Sequence, residues 1–175
     1  MARAPLPVTV VTGFLGAGKT TLLDAWLRDC APREVAVIIN EVADLDVDAE
    51  RLRARVETLV AITGGCICCR SYGALVGALE ELARRDPAPA RLVVETSGAA
   101  SPAGVLRAVR AQPALALDGV VTVVDGTRLA RLRSSDLARE QVGYADVLVL
   151  SRADRLDEAA RGAARGALER CNGAA

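Results

Sequence analysis

Runs of apolar residues alternate with amphipathic stretches along most of the chain. Short runs rich in valine, leucine and isoleucine predict buried strands at 7–12, 35–39, 92–94, 120–124 and 147–150 and a weaker strand at 59–63. Between them, apolar residues at helical spacing predict helices at roughly 20–29, 48–58, 71–85, 101–111, 127–142 and 156–170. Strands and helices that alternate in this way form a mostly parallel sheet covered on both faces. We therefore expect a single three-layer α/β/α domain over residues 1–175.

The composition narrows the class of protein. The chain of 175 residues is 51% hydrophobic but only 2% aromatic, so its core must be built from aliphatic side chains. A formal net charge of zero argues against a nucleic-acid or anionic-membrane surface. No apolar run reaches the roughly 18 residues of a spanning helix, which favours the cytoplasm. Because histidine is absent, a transition-metal site would have to use sulfur and oxygen ligands.

The segment between the first predicted strand and helix reads Gly-Phe-Leu-Gly-Ala-Gly-Lys-Thr and matches the phosphate-loop pattern. Its glycines let backbone N–H groups turn toward an anion, and the helix N-terminus adds partial positive charge. Lys19 is the sole lysine among 22 basic residues, and its compact ammonium fits between phosphate oxygens better than a guanidinium does. The predicted phosphate-binding residues are Gly13, Gly16, Ala17, Gly18, Lys19, Thr20 and Thr21. The Thr20 hydroxyl is also expected to bind Mg²⁺.

Three of the five cysteines form a cluster, Cys66, Cys68 and Cys69. In a cytosolic protein, such a cluster is more typical of metal binding or redox chemistry than of a disulfide framework. Thiolates favour Zn²⁺, Cu⁺ or, with oxygen donors, Co²⁺, and three sulfurs leave a tetrahedral site one ligand short. A redox role and plain burial remain alternatives for the cluster. Burial as small apolar side chains suits Cys30 and Cys171.

Four motifs occur in a distinctive order: the phosphate loop, Asn40-Glu41, Gly-Gly-Cys-Ile-Cys-Cys at 64–69, and Glu95-Thr96-Ser97-Gly98. Together they resemble the CobW-type metallochaperone GTPases, relatives of the urease and hydrogenase maturation GTPases. The resemblance extends through Asp125 and Gln141 and covers essentially the whole chain. It implies a GTPase that loads or delivers a transition metal, with the nucleotide state coupled to metal affinity.

The resemblance assigns further roles to individual residues. Glu95 corresponds to an acidic residue near the γ-phosphate and Mg²⁺, and a carboxylate that ends a strand beside the loop can hold a Mg²⁺-bound water. Helix capping is the alternative for Glu95. Lys19, Thr20 and Glu95 are thus the predicted catalytic residues. Asp48 matches a family aspartate and is assigned to Mg²⁺, and Glu41 is added to the three cysteines as a metal ligand.

The chain departs from the family pattern in two motifs. Residues 40–44 read Asn-Glu-Val-Ala-Asp where the family has Asn-Glu-Phe-Gly-Glu, and an alanine restricts the backbone where the family has glycine. The base-recognition motif Asn-Lys-x-Asp is replaced by Ser151-Arg152-Ala153-Asp154. Asp154 can accept two hydrogen bonds from guanine, Arg152 can stack on the base, and Ser151 replaces the asparagine. Helix capping is the alternative for Asp154. The family's final strand and C-terminal domain are also expected to be missing.

These patterns predict a slow GTPase that binds GTP, Mg²⁺ and zinc or cobalt and delivers the metal to an unidentified client protein. A metal or a partner is expected to accelerate hydrolysis. One alternative is a truncated module that binds nucleotide and metal without significant turnover. Another is an ATP-using relative with a redox cysteine switch, which Asp154 disfavours because adenine lacks the matching donors.

Overall fold

Six parallel strands form the sheet described by the computed structural model, which covers residues 3–41, 46–63 and 71–173. Within these ranges, the described side chains exclude those of residues 40, 41, 46–49, 63, 71 and 133. The strands are β1 (Leu6–Thr12), β2 (Val35–Glu41), β3 (Thr58–Thr63), β4 (Arg91–Glu95), β5 (Leu115–Asp125) and β6 (Val147–Ser151). Their order across the sheet is β3-β2-β4-β1-β5-β6. β1 therefore lies centrally, and its carboxyl end is flanked by those of β4 and β5.

Helices connect the strands on both faces of the sheet. They are α1 (Lys19–Leu27), α2 (Asp46–Arg53), α3 (Ser71–Arg84), α4 (Ala103–Arg110), α5 (Ala130–Ser134), α6 (Asp136–Gly143) and α7 (Glu158–Cys171). Two short 3₁₀ turns follow β5 and β6, at Gly126–Arg128 and Ala153–Arg155. The predicted three-layer α/β/α fold with a parallel sheet is confirmed.

The core divides between the two faces because successive strand residues point to opposite sides of the sheet. On one face, Val10 packs in a cluster with Leu79 of α3 and Val105 of α4. On the other, Val37 packs with Leu23 of α1. A third cluster lies beneath α5, α6 and α7 and contains Leu132, Ala138, Val142 and Leu168. The core is aliphatic, as the scarcity of aromatic residues predicts.

Two predicted helices differ from the observed ones. The helix predicted at 48–58 ends at Arg53, because the Glu57 backbone N–H donates to the Pro32 carbonyl and Thr58 joins the sheet. The helix predicted at 127–142 is divided into a 3₁₀ turn, α5 and α6. The break occurs at Ser135, whose backbone is extended and whose side chain accepts a hydrogen bond from the Ala138 N–H to cap α6.

All six strands extend at least one residue beyond the predicted ranges, and β5 extends the furthest. The weak strand at 59–63 is a full edge strand that starts at Thr58 and pairs with β2. The strand predicted at 120–124 starts at Leu115, because β5 pairs with β1 along the whole of Leu6–Thr12. Alternation of buried and exposed residues in the first half of β5 hides this extension from a search for continuous apolar runs.

Candidate functional site

The phosphate loop lies between the carboxyl end of β1 and the start of α1. Three of its glycines have positive φ: Gly13 at 138°, Gly16 at 72° and Gly18 at 99°. A Cβ on Gly13 would lie 2.2 Å from the carbonyl oxygen of Val123, so no larger residue fits there. Lys19 opens the helix and is buried. The loop therefore has the backbone shape that turns N–H groups and an ammonium toward an anion.

Thr20 and Glu95 meet beside this loop. The Thr20 hydroxyl donates to Glu95 Oε1 at 3.1 Å, and Glu95 is only 5% exposed. The sheet register causes this meeting, because Glu95 ends β4 directly opposite Val11 of β1. A hydroxyl oxygen and a carboxylate oxygen are the hard ligands that Mg²⁺ prefers. The chemistry of this donor pair therefore fits a magnesium ion.

The loop after β4 packs tightly against the phosphate loop through Gly98. A Cβ on Gly98 would lie 2.6 Å from the backbone nitrogen of Leu15, so the two backbones could not approach this closely with any other residue. Nearby, the buried Thr96 hydroxyl donates to Thr12 Oγ1 at 2.8 Å. The sequence motif alone assigns no role to Gly98. Its spacing of three residues after Glu95 is the signal that could have marked it.

The base-recognition motif lies at the same edge of the sheet, at the carboxyl end of β6. The Ser151 hydroxyl donates to the Ala17 carbonyl at 2.6 Å, which ties this motif to the phosphate loop. Arg152 has a positive φ of 54°, and Asp154 lies exposed in the 3₁₀ turn that follows. The fold therefore brings Ser151, Arg152 and Asp154 to the side of the phosphate loop that borders β5 and β6.

A buried aspartate, Asp125, lies between these two motifs at the end of β5. It accepts hydrogen bonds from the Thr127 backbone N–H at 3.0 Å and from the Thr127 hydroxyl at 2.7 Å. It also forms ion pairs with Arg128, at 3.6 Å, and with Arg152. Burial acts to raise the pKa of Asp125, but the Thr127 hydrogen bonds and the two arginine charges outweigh it and hold this pKa below its ordinary value. The sequence motifs assign no role to Asp125. Its position as an acidic residue at the end of a predicted strand could have marked it as a candidate site residue.

Comparison with known proteins places the chain in a family. The family model described as the CobW/HypB/UreG nucleotide-binding domain matches residues 7–175. The chain belongs to the CobW/HypB/UreG family. This membership confirms the resemblance inferred from the four sequence motifs.

Individual relatives of this family match most of the chain. The zinc chaperone YjiA of Escherichia coli strain K12 is 36% identical and covers 89% of this chain and 52% of its own length. The zinc-regulated GTPase metalloprotein activator 1 of Schizosaccharomyces pombe is 35% identical, over 96% of this chain and 44% of its own length. The zinc chaperone CobW of a Sinorhizobium species is 31% identical and covers 89% and 53%. The chain thus spans about half the length of the curated relatives it matches.

Solved structures of the family share the fold. HypB from Helicobacter pylori in complex with nickel aligns with a TM-score of 0.68 at 19% identity, over 97% of this chain and 76% of that structure. HypB from Archaeoglobus fulgidus aligns with a TM-score of 0.66 at 18% identity, over 98% of this chain and 78% of that structure. At this level of identity, the likeness bears on the fold only.

The predicted transition-metal ligands, and the predicted Mg²⁺ ligand Asp48, lie outside the side chains that the structure describes. Cys66, Cys68 and Cys69 are not described, and of Glu41 and Asp48 only the backbone is. Glu41 ends β2 and pairs in register with Thr63, the last residue of β3, so the segment that leads to the cysteines starts beside it. No other cluster of three His, Cys, Asp or Glu side chains suited to a metal ion occurs in the described part of the chain.

The two remaining cysteines differ in their surroundings. Cys30 is half-buried against the core cluster of α1 and β2, and burial together with the nearby Glu34 and Asp29 charges raises the pKa of its thiol. Cys171 is exposed at the end of α7, so the prediction of burial was wrong for it. None of the helices in the described ranges is long and apolar enough to cross a membrane.

Proposed function

We propose that this chain is a GTP-hydrolysing metallochaperone that binds zinc or cobalt and transfers it to a client protein. The observation that carries the proposal is the meeting of Thr20 and Glu95 beside the phosphate loop, 3.1 Å apart. Family membership supports it, as do relatives named as zinc chaperones or as a zinc-regulated GTPase metalloprotein activator.

In this proposal, the chain's own groups bind and orient the triphosphate. The backbone N–H groups of the loop and the Lys19 ammonium stabilise the charge that develops on the transferring phosphate. Thr20 and Glu95 would hold Mg²⁺, to which we also assign Asp48, and this ion would neutralise phosphate charge when bound. Backbone N–H groups from Gly13 to Thr21 would contact the remaining phosphate oxygens.

Selection of guanine is assigned to Ser151, Arg152 and Asp154. The exposed Asp154 carboxylate is able to accept hydrogen bonds from the N1–H and the exocyclic amine of guanine. The Ser151–Ala17 hydrogen bond supports this assignment, because it fixes the distance between the base-recognition motif and the phosphate loop. Preference for guanine over adenine is therefore part of the proposal.

The transferred metal is assigned to Cys66, Cys68 and Cys69, with Glu41 as the oxygen ligand. Three thiolates and one carboxylate complete a tetrahedral set that suits Zn²⁺ and accepts Co²⁺. The position of Glu41 beside Thr63 supports this set, since only two residues separate Thr63 from Cys66. An incomplete or mixed cage releases its metal more easily than a closed four-cysteine cage, as delivery to a client requires.

Steady-state GTP hydrolysis by the protein and by Lys19→Ala tests the nucleotide part of the proposal. We expect the substitution to reduce hydrolysis by at least about 100-fold, because a charge that stabilises the transition state is removed. Arg110→Ala is the control: it removes a positive charge at the end of α4, which lies shortly before the start of β5 and therefore near the amino ends of the strands, away from the phosphate loop. If Lys19→Ala hydrolysed GTP as fast as the unaltered chain, the assignment of the phosphate loop as the nucleotide site would be wrong. Nucleotide binding without hydrolysis by the unaltered chain would favour the module that binds without turnover.

A further inference from the structure

Arg128 lies beside the phosphate loop, although it belongs to the 3₁₀ turn that follows β5. Its Nη1 is 3.9 Å from the position that a Cβ would occupy on Gly16, in the middle of the loop. Together with Gly13 and Leu15 it lines a small cavity against this loop. A guanidinium thus stands within reach of an anion held by the loop, on the side opposite Glu95.

Asp125 holds Arg128 in this position. The Arg128 Nε lies 3.6 Å from Asp125 Oδ2, and Arg152 contacts the same oxygen. The Asp125 side chain is only 7% exposed, whereas that of Arg128 is 53% exposed. One buried carboxylate is therefore shared by two guanidinium groups, which leaves an excess of positive charge on this side of the loop. Because Arg128 has five N–H donors, contact through Nε leaves its outer nitrogens able to face the loop.

We propose that Arg128 is a further nucleotide-binding residue whose guanidinium contacts the phosphate chain, with Asp125 as its positioning residue. The inference rests on the proposed function, since it requires a nucleotide in the phosphate loop. A planar guanidinium contacts two phosphate oxygens at once, which complements the point charge of Lys19. The two cations then approach the phosphates from different elements: Lys19 from α1 and Arg128 from the turn after β5.

Competition against a fluorescent guanine nucleotide tests this assignment in the whole chain. The competitors are a non-hydrolysable GTP analogue, GDP and inorganic triphosphate, and the variants are Arg128→Ala, Arg128→Gln, Arg128→Lys and the control Arg110→Ala. We expect Arg128→Ala and Arg128→Gln to weaken the binding of the GTP analogue and of inorganic triphosphate by about tenfold. Arg128→Lys should recover part of this loss, and Arg110→Ala should bind as the unaltered chain does.

The melting temperature without nucleotide separates binding from folding. An ion pair with a half-exposed arginine contributes little to stability, so the Arg128 variants should melt close to the unaltered chain. Unchanged affinity in Arg128→Ala would overturn the inference and leave the proposed function standing. A loss seen with the GTP analogue but not with inorganic triphosphate would also overturn it, because the contact would then be to the base or ribose. Absence of nucleotide binding by the unaltered chain would instead refute the proposed function.

Discussion

Gln141 of α6 connects the loop after β4 to the rest of the candidate site. It is 1% exposed, and its Nε2 donates to the Ala100 carbonyl at 3.0 Å and to the Gly98 carbonyl at 3.4 Å. Gly98 in turn packs directly on Leu15 of the phosphate loop. The buried Oε1 of Gln141 accepts no hydrogen bond from the described residues, so the hydrogen bonds of this side chain there are its two donated ones. We therefore expect Gln141 to position the phosphate loop through Gly98.

Gln141→Leu tests this positioning role. We expect the unfolding free energy to fall by about 1–3 kcal/mol, because a buried and a partly buried carbonyl group lose their donor. The affinity for a GTP analogue should fall as well, since Gly98 is no longer held against Leu15. Urea denaturation and calorimetric titration measure the two effects. Gln112→Leu is the matched control, because Gln112 donates to Glu80 away from the loop. A loss of stability with unchanged affinity would show that Gln141 is purely structural.

At the scale of the elements, Asp24 joins α1 to α2. Its carboxylate, 7% exposed, contacts Arg28 of the same helix at 2.8 Å, Arg51 of α2 at 3.5 Å and Arg55 beyond α2 at 3.1 Å. Hydrogen bonds from Arg28 and Arg55 hold the pKa of Asp24 below its ordinary value of 3.8, against the opposing effect of burial. Because α1 begins at Lys19, this cluster links the helix that follows the phosphate loop to α2.

Asp24→Asn should lower the melting temperature at pH 7, because three guanidinium groups lose their shared carboxylate. A carboxylate whose pKa is lower in the folded than in the unfolded state stabilises the fold at any pH above the unfolded-state pKa. This stabilisation is lost as the pH falls through the folded-state pKa. The difference between the variant and the unaltered chain should therefore shrink below pH 3.8. Thermal unfolding of both proteins from pH 2 to 7 measures this difference in melting temperature.

Asp136→Asn provides the comparison for this experiment. Asp136 also pairs with an arginine, Arg139, but its side chain is 97% exposed. A pair so exposed to solvent is screened and should contribute little to the melting temperature. Equal effects of Asp24→Asn and Asp136→Asn at neutral pH would contradict a structural link between α1 and α2.

At the scale of the whole molecule, the order of strands and helices could be predicted because a contiguous apolar run marks at least part of each strand. Lys19 and Thr20 could also be predicted, because one contiguous motif contains them both. The register of β4 on β1 then explains why Glu95 lies beside this motif. Arg128 and Gln141 could not be assigned in this way. Arg128 approaches the phosphate loop itself, and Gln141 bonds to the loop after β4 that packs on it. Both belong to elements far along the chain, and only the packing of the folded chain brings them there.

The last prediction concerns the coupling of the two proposed sites, nucleotide and metal, at one edge of the sheet. β2 and β3 run parallel to the central strands and end at the same edge of the sheet as β1, so the proposed metal-binding segment after β3 starts at the edge that carries the phosphate loop. A nucleotide that reorders this edge should therefore change metal affinity. We expect Zn²⁺ and Co²⁺ to bind at least about fivefold more tightly with Mg²⁺ and a GTP analogue, as measured by chelator competition. Serine at Cys66, Cys68 and Cys69 should abolish this binding, whereas Cys171→Ser, which replaces an exposed thiol, should not. Equal metal affinity in both nucleotide states would leave two independent sites, and a binding module would then describe the chain better than a chaperone driven by GTP.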